Sequence, residues 1–367
     1  MESIYNCHTH IFTNKNVPEN LLPFGFRSLL CVTETLANLS KKLKPDGGYN
    51  VFDKVATIGI VGNFRSQLGV FNHLKGFYPD GSKFVLISVD MEFMGAGRVA
   101  QGFPEQLRQL SDIKKSYRDR VFPFIFVDPR RENITDLVKE YIEEHDFQGI
   151  KMNPTYGYYV FDKRLYQIYK YAATNKVPVI SHCARSWAYY KGRITDDMLI
   201  HPGTGRRLRR TWNKRFAEHF THPGNYEYLL RDFPDLKICL AHLGGGDELK
   251  NYKRGEENKR ENWSSIIIDY MKRYPNVYTD VSYTMHDPKL FPQLKGILDD
   301  RELRSRVLYG SDFYMVQQEI HERDFHENLK SYLGEDDYRQ IAMINPQEFL
   351  SMEDALVLSD TEAMSLN

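Results

Sequence analysis

The chain has 367 residues, 41% of them hydrophobic and 27% charged, enough to bury a substantial core in one large domain or two ordinary ones. Lys plus Arg and Asp plus Glu each number 49, and a net charge of zero gives no general pull towards nucleic acid or an anionic membrane. No apolar run reaches the roughly 18 residues of a membrane span, no leader of basic then apolar residues opens the sequence, and 4 scattered cysteines without a C-x-x-C pair fit the reduced thiols of a cytoplasmic protein.

Short apolar runs alternate with longer amphipathic ones, the pattern of repeated βα units around a parallel sheet. A first strand is expected over Ile4–His8. The stretch 11–83 that follows is too long for one βα connection; a helix is expected over Glu34–Leu43, a turn at Asp46-Gly47-Gly48 and a mixed segment over Val55–Phe64. Strands are then expected at Phe84–Val89, Phe122–Val127, Gly149–Met152 and Val177–His182. Between them Ile134, Leu137, Val138, Tyr141 and Ile142 share one helical face, as do Leu165, Ile168, Tyr169 and Ala172 behind an Asp162 N-cap. A second insertion covers 184–222, and insertions of this length in a compact domain are usually lids or binding loops. His222-Pro223 marks a helix start, with a helix near Tyr226–Arg231. The last strands fall at Lys237–His242, Val277–Val281 (after a helix that Pro275 stops) and Val307–Ser311. Eight such strands close an α/β fold, a (β/α)8 TIM barrel, and these barrels exceed ~250 residues as single domains when they carry insertions. The expected organisation is one barrel domain over 1–350, with insertions 11–83 and 184–222 after strands 1 and 5, and a tail over 351–367.

Ionisable residues punctuate the carboxyl ends of these strands. His8 and His10 are two apart on the first strand, face the same way and are expected to point into the barrel, where one ion can bridge them. An H-x-H pair alone is weak evidence for a metal, because it arises often by chance. His182 ends the fifth strand, His242 the sixth and Asp312 the eighth. Read singly, each histidine is better explained as a hydrogen-bonded core or rim residue. Read together they point to one site, because polar groups at the ends of apolar strands are costly to bury without partners and a barrel gathers such ends at one mouth.

The further matching segments are Gly149-Ile150-Lys151-Met152-Asn153-Pro154, Ile180-Ser181-His182-Cys183, Phe233-Pro234-Asp235-Leu236-Lys237, Ala241-His242-Leu243-Gly244-Gly245, Tyr309-Gly310-Ser311-Asp312 and the Asn345-Pro346-x-x-Phe349-Leu350 ending. With His8 and His10, this set resembles the amidohydrolase superfamily, specifically the amidohydrolase-related branch of TIM-barrel hydrolases that includes aminocarboxymuconate-semialdehyde decarboxylase. The resemblance runs from residue 4 to 350 and is poor over 11–83 and 184–222. It implies a single Zn²⁺ held by His8, His10, His182 and Asp312, in preference to two ions. His242 would act on the substrate or the bound water. In two-metal members a lysine at the place of Lys151 is carbamylated and bridges both ions, with His182 and His242 on the second; in one-metal members it stays a plain amine. Asp312 and His242 are thus the expected catalytic residues, the first moving the proton of a zinc-activated water and the second steadying the developing oxyanion.

The expected function is metal-dependent hydrolysis of an amide, ester or lactone bond in a small, carboxylate-bearing substrate. The rival is non-oxidative decarboxylation of a small aromatic or unsaturated acid, which relatives perform at the same site; a barrel that has lost its chemistry is a third reading, disfavoured by the complete ligand set. Arg185, three residues past His182, is the expected substrate-binding cation. The run Arg206, Arg207, Arg209, Arg210, Lys214 and Arg215 reads first as a solvated helix face and second as an anion clamp over the site. Gly244–Gly246 lacks both P-loop and dinucleotide spacing and is expected to let backbone approach the metal. Neither nucleic acid nor membrane is an expected partner, and analogy at fold level suggests a homodimer.

Overall fold

All eight expected strands form, with ends shifted by at most a few residues. The structure is a computed structural model and describes residues 3–21, 63–186, 188–253 and 262–352. The strands are β1 (Tyr5–His10), β2 (Lys83–Ile87), β3 (Val121–Phe126), β4 (Gly149–Met152), β5 (Val179–Ala184), β6 (Ile238–Gly244), β7 (Val277–Asp280) and β8 (Val307–Leu308). They lie side by side in sequence order, and every neighbouring pair is parallel. The ring closes between β8 and β1: Cys7 N–H donates to the Tyr309 carbonyl at 2.9 Å, and Asp312 N–H to the His8 carbonyl at 2.8 Å. Gly310 permits that approach, because a Cβ there would lie 2.7 Å from the His8 Cβ. β8 is shorter than expected because Tyr309 N–H turns to the Ile341 carbonyl at 2.8 Å instead of extending the ladder.

The helices wrap the outside. The longer ones among the described residues are α1 (Gln67–Lys75), α2 (Phe103–Ser116), α3 (Ile134–Glu143), α4 (Tyr166–Thr174), α5 (Asn213–Thr221), α6 (Tyr226–Asp232), α7 (Trp263–Arg273), α8 (Phe291–Leu298) and α9 (Glu322–Arg339). Asp162 caps the single turn Lys163–Leu165 that leads into α4, as its place in the sequence implies. The His222-Pro223 start is a single turn, Pro223–Asn225, in which His222 accepts from Gly224 N–H before α6 begins. Alternation along the strands sorts two cores. Tyr5, Cys7, Phe122, Phe124, Ile180, Cys239, Ala241, Tyr278 and Leu308 fill the barrel, with Phe349 and Leu350 against its lower end. Phe84, Leu86, Ile125, Ile150, Val179 and Leu240 face the helices.

Strict alternation from Tyr5 and Cys7 would send His8 and His10 outward, towards the helices. The β1–β2 register slips between Asn6 and Thr9, and this bulge turns both histidines into the barrel. The 184–222 insertion holds one short turn, Asp197–Leu199, and α5. It is braced across the mouth: Tyr190 N–H donates to the Thr155 carbonyl at 2.8 Å and Lys191 N–H to the Met94 carbonyl at 2.6 Å. The expected helix at Glu34–Leu43, the turn at Asp46-Gly47-Gly48, most of the segment Val55–Phe64 and nearly all of the tail lie outside the described residues. Among the described residues no helix is long and apolar enough to cross a membrane.

Candidate metal centre at the barrel mouth

Four imidazoles, one lysine and two carboxylates meet where β1, β4, β5, β6, β7 and β8 end. His8, His10 and Asp312 bring ligand atoms within 4.8 Å of one another, and so do His8, His242 and Asp280. His182 belongs to neither trio. Its Nδ1 instead faces His242 Nε2 at 3.0 Å, and the ring centroids of His8 and His242 are 4.9 Å apart. The four residues expected to act as ligands therefore stand in one cluster, with His182 joined to the rest through His242 and His8 buried behind the cavity lining. Lys151 Nζ reaches His8 Nε2 at 2.9 Å and is almost wholly buried.

The backbone aims several of these groups by unusual turns. His242 has φ of +70° and Asp312 of +56°, left-handed conformations that branched or bulky residues rarely take. Gly244 follows at φ +83°, where a Cβ would meet the Ser264 backbone at 2.8 Å. The sequence leads one to expect that the glycine run lets backbone approach the metal; the close approach that Gly244 permits is to the start of α7 instead. The carbonyl of His242 accepts from Thr284 Oγ1 at 2.7 Å, which fixes the turn.

Hydrogen-bond partners settle which ring nitrogens carry protons. His8 Nδ1 lies 2.8 Å from Asp280 Oδ2, a carboxylate that can only accept. His8 therefore carries its proton on Nδ1 and accepts from Lys151 through Nε2. His242 Nδ1 faces the Ser282 carbonyl at 3.1 Å and His182 Nε2 the Ala184 carbonyl at 2.9 Å, so both donate there. The two nitrogens that face each other at 3.0 Å are consequently both bare lone pairs. His10 Nδ1 is buried without a well-formed hydrogen bond, with the Ile87 carbonyl acting on the ring. Unmatched lone pairs at this depth are costly, and a cation is what relieves them. The donor set of imidazoles and a carboxylate suits a divalent transition metal.

Electrostatics agree. Burial first, then the Lys151 ammonium, pushes His8 down to about 4; burial and His8 push His242 down to about 3. His10 and His182 are lowered too, again mainly by burial. All four are neutral at pH 7 and available as ligands. Burial would raise the Asp280 carboxyl, but the charge and hydrogen bond of His8, with His242 and Ser282, hold it well below the usual range. Burial drives the Asp312 carboxyl up and the Lys151 amine down, each opposed by the other's charge.

Two functional residues escaped the sequence reading. Asp280 and Ser282 tie the centre together: Asp280 Oδ1 accepts from His242 N–H at 2.9 Å and from the Ser282 hydroxyl, while Oδ2 holds His8. The signal was present, since an Asp inside the apolar strand Val277–Val281 is as costly to bury as the histidines were. Arg185 does line the pocket, but it does not face it free. Its guanidinium pairs with Glu248 and with Glu218 at 3.4 Å, and stacks 4.7 Å from the Trp263 ring.

Above the centre opens a cavity of about 360 Å³. Phe12, Phe126, Tyr156 and Tyr314 give it aromatic walls, and Lys151, Arg185 and Lys214 are its lysine and arginine cations.

A family model described as Amidohydrolase matches residues 78–351, well over half of the chain. No curated protein matches the sequence. Among solved structures, a 5-carboxyvanillate decarboxylase from Novosphingobium aromaticivorans, complexed with manganese and 4-hydroxy-3-methoxy-5-nitrobenzoic acid, is similar at 13% identity and a TM-score of 0.59, over 95% of this chain and 96% of that one. A 2,6-dihydroxybenzoate decarboxylase from Rhizobium is similar at 16% identity and a TM-score of 0.55, over 96% of this chain and 100% of that one. A 4-oxalomesaconate hydratase from Rhodopseudomonas palustris gives 15% identity and a TM-score of 0.53, over 98% of this chain and 99% of that one. At these identities the likeness carries the barrel fold and no more.

Proposed function

We propose, from the premise that this chain belongs to the amidohydrolase family, that it is a metal-dependent hydrolase of a small carboxylate-bearing substrate, cutting an amide, ester or lactone bond. The observation that carries the reading is the convergence of His8, His10 and Asp312, beside the facing pair His182 and His242, on the floor of an aromatic-walled cavity. His8, His10, His182 and Asp312 would hold one ion, and zinc is the ion this donor set favours. Bound there, it would polarise the scissile carbonyl and ready a water for deprotonation at neutral pH.

The chain's own residues supply the rest. Asp312 would take the water's proton and pass it to the leaving group, a role typically worth ~10²–10⁴-fold. Its position is fixed because its N–H is bound to the His8 carbonyl at 2.8 Å. His242 is held at Nδ1 by Ser282 and lines the cavity, where it would steady the developing oxyanion with its own proton moved from Nδ1 to Nε2. Asp280 keeps His8 in the tautomer that leaves Nε2 bare. Phe12, Phe126, Tyr156 and Tyr314 exclude water and accept a flat substrate.

Decarboxylation of an aromatic or unsaturated acid is the second reading, favoured by those aromatic walls and by the aromatic acids named for two structural neighbours. The test is a panel assay on protein loaded with zinc and, separately, manganese. Lactones, aryl esters and amides are scored for ring opening or acid release, and hydroxybenzoates for CO₂. Hydrolysis without CO₂ release, lost in Asp312→Asn with the metal still bound, is the expected result. CO₂ release alone would replace hydrolysis with the second reading, and near-full activity in metal-loaded Asp312→Asn would remove the proton role of Asp312.

A further inference from the structure

The insertion after β5 forms one wall of the cavity, contributing Arg185, Ser186, Ala188 and Lys214. From 198 to 217 it contains no acid, yet it carries Arg206, Arg207, Arg209, Arg210, Lys214 and Arg215 in a chain whose net charge is zero. All six are exposed. Arg210 pairs with Asp196 at 3.0 Å; among the described residues the other five make no ion pair. Two of them, Lys214 and Arg215, stand in the first turn of α5, where a cation opposes the helix dipole and no acid compensates. Helix stability therefore does not explain them.

We infer that Lys214 selects a substrate with a second negative charge, a small dicarboxylate rather than a monocarboxylate. The cavity has three lysine or arginine cations, and two are spoken for. Lys151 is bound to His8 on the floor, and Arg185 is neutralised by Glu218 and Glu248. Lys214 has no partner among the described residues and lines the same cavity. Its backbone is held in place: Asn213, the residue before it, donates from Nδ2 to the carbonyls of Tyr190 at 3.1 Å and Gly192 at 2.7 Å. That segment is in turn pressed against Gly95, where a Cβ would lie 2.5 Å from the Gly192 Cα. A lysine on a fixed backbone, with a mobile point charge and no counter-ion, receives the far carboxylate of a molecule whose near end lies at the metal-binding floor. The unpaired arginines beside it raise the local concentration of dianions. This assignment rests on the reading of the pocket as a site for small carboxylates.

The experiment is calorimetric titration of the zinc-loaded full-length chain with benzoate and with isophthalate, at low and at 0.5 M salt (roughly 3–5 Å of screening length). Isophthalate is expected to bind about five- to tenfold tighter than benzoate at low salt, with the ratio shrinking at high salt. In Lys214→Gln the ratio should fall to about one, whereas Arg209→Gln, which removes the same charge outside the cavity, should keep most of it. Equal binding of the two acids by the unaltered chain, or a ratio that survives Lys214→Gln, overturns the assignment and leaves the carboxylate site standing. Failure of both acids to bind the zinc-loaded chain overturns the small-carboxylate reading itself, and this assignment with it.

Discussion

The floor and the rim of the cavity are built on opposite terms. On the floor the side chains are buried and held by hydrogen bonds to one another, apart from the bare lone pairs of the histidines and the Asp312 carboxylate. Asp280 alone gathers His8, the His242 backbone and Ser282. On the rim the insertion carries six exposed cations between residues 206 and 215, five of them without an ion pair among the described residues. The difference separates two jobs. Strand ends on a closed barrel cannot shift without breaking the ladder, so they suit chemistry that needs fixed geometry. An inserted loop can change length and charge without disturbing the barrel, so it suits choice of substrate. A substitution on the floor should therefore act through the metal, and one on the rim through binding.

Asp280→Asn should give the largest effect. One oxygen of Asp280 accepts from His8 Nδ1–H and the other from His242 N–H and Ser282. An amide offers one acceptor in place of two. Its NH₂ must either confront the His242 N–H or force His8 to move its proton to Nε2, where it meets Lys151. Metal affinity should fall about 10–100-fold, read by competition with a chromophoric chelator. Affinity within a factor of two of the unaltered protein would show that the carboxylate does not orient His8.

Acid comes next. Burial holds His8 at about 4, His242 at about 3, and His222 and His326 each at about 4, with His10 and His182 lowered as well. An unfolded chain protonates its histidines near ~6.5. Between that value and about 4 the unfolded state binds more protons, so stability is full above ~6.5 and is lost as the pH falls. Burial raises Glu322 to about 7 and also raises Asp312 and Asp90, which opposes the trend, but six histidines outnumber three carboxyls. The metal-free protein should melt on the order of 5 °C lower at pH 5 than at pH 7.5. A flat or rising melting temperature over that range would mean the imidazoles are not held neutral.

The same contrast explains what could be read from sequence. Strand ends repeat a simple pattern, apolar run then ionisable residue, and that pattern exposed His182, His242 and Asp312. The H-x-H spacing indicates that His8 and His10 share a direction and the family pattern points it inward, but the slip between Asn6 and Thr9 that makes this possible beside Tyr5 and Cys7 depends on pairing with β2. Asp280 was passed over because a lone carboxylate carries no motif; its meaning lies in a contact with His8, 272 positions away. Likewise the sequence brings Arg185 near His182, and it lines the pocket, yet the acids that pair with it come from residues 218 and 248. Pairing across such distances is a property of the fold.

Arg185→Gln should therefore be the mildest change, although sequence spacing alone would rank it first among the substrate-binding residues. Its guanidinium is 44% exposed, and Glu218 and Glu248 already balance its charge. Pairs so open to solvent contribute little, roughly 0–1 kcal/mol. Removing the arginine strips the counter-charge from Glu218 and Glu248, which leaves the rim slightly more negative and weakens an anionic substrate only through long-range repulsion. The expected signature is a rise in KM of about twofold that vanishes in high salt, with kcat unchanged. A loss of tenfold or more that persists in high salt would mean that substrate displaces the two glutamates and takes the guanidinium directly. That result would move the selection of anions from Lys214 to Arg185, and the rim would prove as tightly wired as the floor.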